Sequence, residues 1–225
     1  RMCAQTLATA SILPDPPPAD DRTAELADQG IRFVAFGRPW GAPEDEPPHA
    51  WVDVDGRAGT ADATQALVSA GHRRIGFLGW PEDSPTGEDR RAGWAEVMRR
   101  AGCSAADIGQ PTLRTEGHPT APLAAAPRPL DLGGGALVCV SDSLAVGVVT
   151  AIGQTGAAVP VVGFDNTALA ASFGFSSVDQ QLGAVAGEIL AALEQSVDGP
   201  GSLLVAPRLV TRNNPRWGIH ATVQA

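Results

Sequence analysis

Ala136-Leu137-Val138-Cys139-Val140-Ser141-Asp142-Ser143-Leu144-Ala145 joins an unbroken apolar run to a polar step, after which apolar residues return at Val148, Val149 and Ile152. A short continuous run rich in β-branched residues fits a strand buried on both faces, as in a parallel sheet. The i, i+3, i+4, i+7 spacing of Ala145, Val148, Val149 and Ile152 is that of one helical face. The stretch reads as strand, turn and helix, the repeating unit of an α/β fold.

Working outward, the alternation recurs. Helical spacing marks Ala63/Ala66/Leu67/Ala70, Trp94/Val97/Met98/Ala101 and Leu182/Val185/Ala186/Ile189, the last extending to Leu190 and Leu193. Apolar runs lie between them at Ile31 to Phe36, Ile75 to Leu78, Val159 to Phe164 and Leu203 to Val205. This order predicts an α/β fold with right-handed crossovers. Gly71, Gly102 and Gly156 each follow a predicted helix near a C′ position. Gly41 to His49 and Glu116 to Gly135 are dominated by Pro, Gly and Ala and read as surface loops.

A chain of 225 residues suffices for one large domain or two modest lobes. Its 16 basic and 25 acidic residues leave a net charge of −9, which disfavours gripping nucleic-acid phosphates through a bulk field. Every basic residue is arginine, so Schiff-base lysine chemistry and a lysine-bearing P-loop are excluded. Cys3, Cys103 and Cys139 show no metal-like spacing and read as reduced thiols of a cytoplasmic protein, with no metal and no cofactor implied. No apolar stretch approaches the ~20 residues of a membrane span, and no signal segment opens the chain.

In open α/β sheets ligands gather at the carboxyl ends of parallel strands. Trp80, the pair Ser141 and Asp142, and the pair Asp165 and Asn166 all fall there. Asp142 reads equally as a helix N-cap, whereas Asp165 opens no obvious helix. Trp94 lies on the apolar face of its helix and belongs to the core. Trp80 follows a strand and is a candidate for stacking on a ligand ring. His72 orients a hinge or caps the preceding helix, with no second histidine or cysteine at metal-ligand spacing.

Five ordered motifs resemble the effector-binding core of lactose-repressor-family transcription regulators. They are Val52-Asp53-Val54-Asp55-Gly56-Arg57-Ala58-Gly59, Gly71-His72-Arg73-Arg74-Ile75-Gly76-Phe77, Arg90-Arg91-Ala92-Gly93-Trp94, Val140-Ser141-Asp142-Ser143-Leu144-Ala145 and Val162-Gly163-Phe164-Asp165-Asn166. The resemblance runs from about Leu13 to Arg212. It implies two Rossmann-like lobes with parallel sheets joined by three crossover strands, resembling periplasmic sugar-binding proteins, with a small ligand held between them. One lobe would comprise residues 1–71 and 181–205, the other 72–180 and 206–225, with the hinge near His72, Gln180 and Pro207.

The resemblance also implies the ligand-binding set Arg90, Ser141, Asp142, Asp165 and Gln180. Arg90 would clamp vicinal hydroxyls or a carboxylate with its planar fork, unless it is a surface arginine like Arg91. Asp165 would accept hydroxyl hydrogen bonds. The family's helix-turn-helix domain has no counterpart here, and roughly two strand–helix units expected ahead of Leu13-Pro14-Asp15 exceed what residues 1–12 can supply. The position after Asp55, often Asn in the family, is Gly56.

The expectation is a sugar-sensing domain of a homodimeric regulator. A solute-binding protein of a sugar transporter is the alternative. Enzyme activity is not expected, since no Gly-x-Ser-x-Gly elbow appears and Gly133-Gly134-Gly135 precedes a strand instead of opening a helix.

Overall fold

The computed structural model describes residues 10–14, 21–41, 49–104, 108, 112–114, 135–194 and 201–219. Cys3 and the greater part of both proline- and glycine-rich loops lie outside the described residues. In chain order the elements are β1 (Ala10–Pro14), α1 (Asp21–Asp28), β2 (Arg32–Phe36), β3 (Ala50–Val54), α2 (Gly56–Ser69), β4 (Ile75–Gly79), α3 (Pro85–Arg100) and β5 (Thr112–Arg114). There follow β6 (Ala136–Cys139), α4 (Asp142–Gly153), β7 (Val161–Phe164), α5 (Ala168–Phe173), β8 (Ser176–Asp179), α6 (Leu182–Glu194), β9 (Ser202–Val205) and β10 (Arg208–Val210).

The chain forms two compact units. The first comprises Arg1–Asp55 and Gln181–Val205, the second Gly56–Gln180 and Ala206–Ala225. The first contains a parallel four-stranded sheet in the order β1-β2-β3-β9. Its buried apolar residues include Leu26, Val34, Ala35, Val52, Val54, Val185 and Ile189. The second contains a six-stranded sheet in the order β10-β8-β7-β6-β4-β5, parallel except where β10 runs antiparallel to β8. Strands β4, β6 and β7 are buried along their whole length, which is why they read as continuous apolar runs.

The two units divide at Asp55–Gly56, so residues 56–71 fall in the second unit where the expectation placed them in the first, and His72 lies in the second unit as in the expected division. Helix α2 belongs with α3. A Cβ added at Gly93 of α3 would run into the backbone carbonyl of Arg57 on α2, so glycine is what permits this close approach. The Arg57 N–H donates to the Asp89 carboxylate at 3.0 Å, giving α2 a first-turn partner from α3. Gly71 adopts φ 93°, and the Gly71 and His72 N–H groups donate to the carbonyls of Val68 and Leu67, closing α2 in a Schellman arrangement.

Trp94 is fully buried, as expected. Its indole Nε1 donates to the Ile75 carbonyl at 3.1 Å and its ring lies 5.6 Å from that of Phe77. No helix among the described residues is long and apolar enough to cross a membrane.

Candidate functional site

Parallel strands β4, β6, β7 and β8 deliver Trp80, Ser141, Asp165 and Gln180 just beyond their carboxyl ends. Helix α3, entered through the cap of Gly87 N–H on Ser84 Oγ and through Pro85, carries Arg90 to the same place.

Arg90 is 6% exposed, so it is no surface arginine. Its Nη1 donates to the Val140 carbonyl at 2.7 Å and lies 3.7 Å from Asp165 Oδ1. The guanidinium carbon sits 3.7 Å from the ring centre of Phe164 and 5.4 Å from that of Trp80, both within cation–π range.

Asp165 accepts from Gln180 Nε2 at 2.6 Å and from the backbone N–H of Asp142, the first residue of α4. It therefore occupies the positive end of that helix. Burial pushes its carboxyl above the usual aspartate value, while Arg90 and the Gln180 hydrogen bond pull it down. Asp165 and Asn166 both have positive φ, 113° and 51°, so the turn is backbone-strained where the carboxylate must project.

The structure separates Ser141 and Asp142 in role. Ser141 is the N-cap of α4, its Oγ accepting from the Leu144 N–H. Asp142 is not the cap. Its side chain, 1% exposed, accepts from the Thr167 N–H at 2.7 Å, Thr167 Oγ1 at 2.8 Å and Ser177 Oγ at 2.6 Å. Burial raises its pKa, and the hydrogen bonds from Ser177 and Thr167 and the charge of Arg212 oppose that rise. Asp142 thus ties the Asp165–Thr167 turn to β8. Gly163 is required beside it, because a Cβ there would collide with Asp142 Oδ1 and press on the Phe175 ring.

Asn166, placed by the sequence beside Asp165 without a role, and Arg212 and Ser177, which the sequence left unassigned, complete the arrangement. Asn166 donates to Asp179 Oδ2 at 2.9 Å and accepts from Arg212 Nη2 at 2.6 Å, while Arg212 Nη1 donates to the Phe175 carbonyl at 3.0 Å. Arg212 lies in a polar tail whose spacing carries no signal, and Ser177 interrupts a strand with a hydroxyl whose partner is far away in sequence. Cys139 is buried, and burial together with the Asp142 charge pushes its thiol far up, removing it as a nucleophile. Among the described residues no group of three or more His, Cys, Asp and Glu side chains could hold a metal ion.

Residues 64–213 match the family of the periplasmic binding protein-like domain. The HTH-type transcriptional regulator CelR of Thermobifida fusca is 38% identical over 84 residues, covering 37% of this chain and 24% of that protein. Among solved structures, a regulatory protein of the LacI family from Chloroflexus aggregans is similar at a TM-score of 0.78 and 31% identity, over 91% of this chain and 75% of that one. The transcriptional regulator CelR in its cellobiose complex is similar at a TM-score of 0.77 and 25% identity, over 91% and 65%. The matched stretches span a quarter to about half the length of curated regulators such as these.

Proposed function

Because this chain belongs to the LacI family of regulatory proteins, we propose that it senses a small neutral sugar or sugar derivative and couples that ligand to operator binding by a transcription regulator. The observation that carries the reading is the Arg90–Asp165–Gln180 arrangement at the carboxyl ends of a parallel sheet. Arg90 offers a planar set of donors for hydroxyl oxygens. Asp165 accepts hydroxyl protons, and Gln180 fixes its carboxylate. The cellobiose complex of a family relative supports a sugar ligand.

Charge selects the neutral form. The half-buried Asp165 carboxylate already faces the one buried guanidinium, and the charge of the buried Asp142 bears on Asp165 in turn, so a phosphate would add negative charge where negative charge is least tolerated. Coupling to DNA requires that the ligand bind one arrangement of the two units more tightly than another. DNA contact through a helix-turn-helix domain outside residues 1–225, homodimerisation and a cytoplasmic location belong to the same proposal. The solute-binding alternative draws no support from the relatives reported above, which are regulators.

Thermal unfolding against cellobiose, ribose, sugar phosphates and nucleobases tests the reading. A ligand at about 100 times its dissociation constant adds about 2.7 kcal/mol, a shift of several degrees. The expected result is a shift with a neutral sugar that both Arg90→Ala and Asp165→Ala diminish. A larger shift with the phosphorylated sugar overturns the neutral-ligand assignment, and a sugar shift undiminished by either substitution overturns the site.

A further inference from the structure

We propose that Trp80 is a positioning residue for Arg90, holding its guanidinium through the ring face instead of stacking on the ligand. The inference rests on the reading of Arg90 as a ligand contact.

A buried guanidinium needs its charge stabilised and its orientation fixed. Carboxylate partners do both but consume N–H donors, and Asp165, at 3.7 Å, is too far from Nη1 for a tight hydrogen bond. Aromatic faces stabilise the charge and consume no donor. Phe164 and Trp80 both stand within that range of the Arg90 head.

The side-chain stem is fixed separately. A Cβ added at Gly56, the first residue of α2, would lie 3.0 Å from Arg90 Cγ, so the stem already runs against the helix start. Trp80 is itself anchored. The Ser84 N–H donates to the Pro81 carbonyl, Ser84 Oγ caps α3, and Gly87 packs so closely that an added Cβ would meet Trp80 Cβ at 3.4 Å. The turn after β4 therefore delivers the indole to the guanidinium from a rigid base.

Stacking on the ligand and positioning of Arg90 predict different couplings. The test compares Trp80→Ala and Trp80→Phe in wild-type and Arg90→Ala backgrounds by calorimetric titration with cellobiose and with ribose. It also follows the ligand-free Arg90 Nε–H resonance, assigned by its loss in Arg90→Lys. Positioning predicts that in Trp80→Ala the guanidinium loses its fixed orientation, so that this proton exchanges faster with solvent and its resonance broadens, and that sugar binding weakens about tenfold. Trp80→Phe restores both. Adding Trp80→Ala to Arg90→Ala then costs nothing further. An unchanged exchange rate and linewidth, or an equal loss of affinity in both backgrounds, overturns the proposal. If the wild-type chain binds neither sugar, the sugar reading fails for those two ligands, and the resonance still decides the role of Trp80.

Discussion

Arg90 and Asp165 face one another at 3.7 Å, yet each has a shorter partner: Arg90 donates to the Val140 carbonyl at 2.7 Å and Asp165 accepts from Gln180 at 2.6 Å. The pair is thus charge-matched without being closed. A hydroxyl group that donates to the carboxylate while accepting from the guanidinium satisfies both, and each residue keeps its other partner.

The same burial sets a pH dependence. Asp142 and Asp165 both have carboxyls raised above 3.8, the value for an exposed aspartate, chiefly by burial. Between 3.8 and the raised values the native chain binds more protons than the unfolded one, so stability falls as pH rises through that window and is level above it. Asp165→Asn removes one contribution and flattens the curve. Urea midpoints measured from low to neutral pH check this, and an unchanged slope in the variant refutes it.

Asp142 reads as a structural clamp. Asp142→Ala leaves the hydroxyls of Thr167 and Ser177 and the Thr167 N–H without their acceptor. Hydrogen bonds to a buried charged group each contribute about 1.5–3 kcal/mol, so the loss is about 3 kcal/mol or more by chemical denaturation. A change below about 0.5 kcal/mol is what a surface substitution gives and contradicts the clamp.

Glycine substitutions separate close packing from open helix surface. Gly93→Ala sets a methyl group against the Arg57 carbonyl and costs about 3 kcal/mol, because α2 and α3 must part. Gly187→Ala, on α6 with nothing within 4 Å of the added carbon, stabilises by about 0.5–1 kcal/mol through helix propensity. Thermal midpoints of the two variants should move in opposite directions.

What the sequence disclosed and what it hid follow one physical division. Strands β4, β6 and β7 and helices α2, α3, α4 and α6 were legible, because burial on both faces or along one stripe leaves a periodic apolar signature. Strand β8 was not. Its Ser176 and Ser177 are fully buried through hydroxyl contacts with Arg212 N–H and Asp142, which no local pattern encodes. The short α5 after Asp165 is likewise fixed by Asp142, from another turn of the sheet. The membership of α2 depended on Gly93 lying against Arg57, a contact that motif order cannot reveal. Asp165 was identified by its place after an apolar strand as well as by resemblance, and Gln180 by resemblance alone, whereas their mutual hydrogen bond is a matter of geometry.

The second unit is closed by residues from a distant part of the chain. Strand β10 pairs with β8, Arg212 grips the Phe175 carbonyl and Asn166, and the Val161 N–H donates to the Trp217 carbonyl at 3.0 Å. During synthesis the ribosome delivers the strands of that unit through Gln180, then the intervening segment Gln181–Val205, and only afterwards these partners. The nascent chain must therefore carry an unfinished sheet edge and an unsecured Asp165–Thr167 turn until Trp217 has emerged. That interval exposes the chain to misassembly and to chaperone capture.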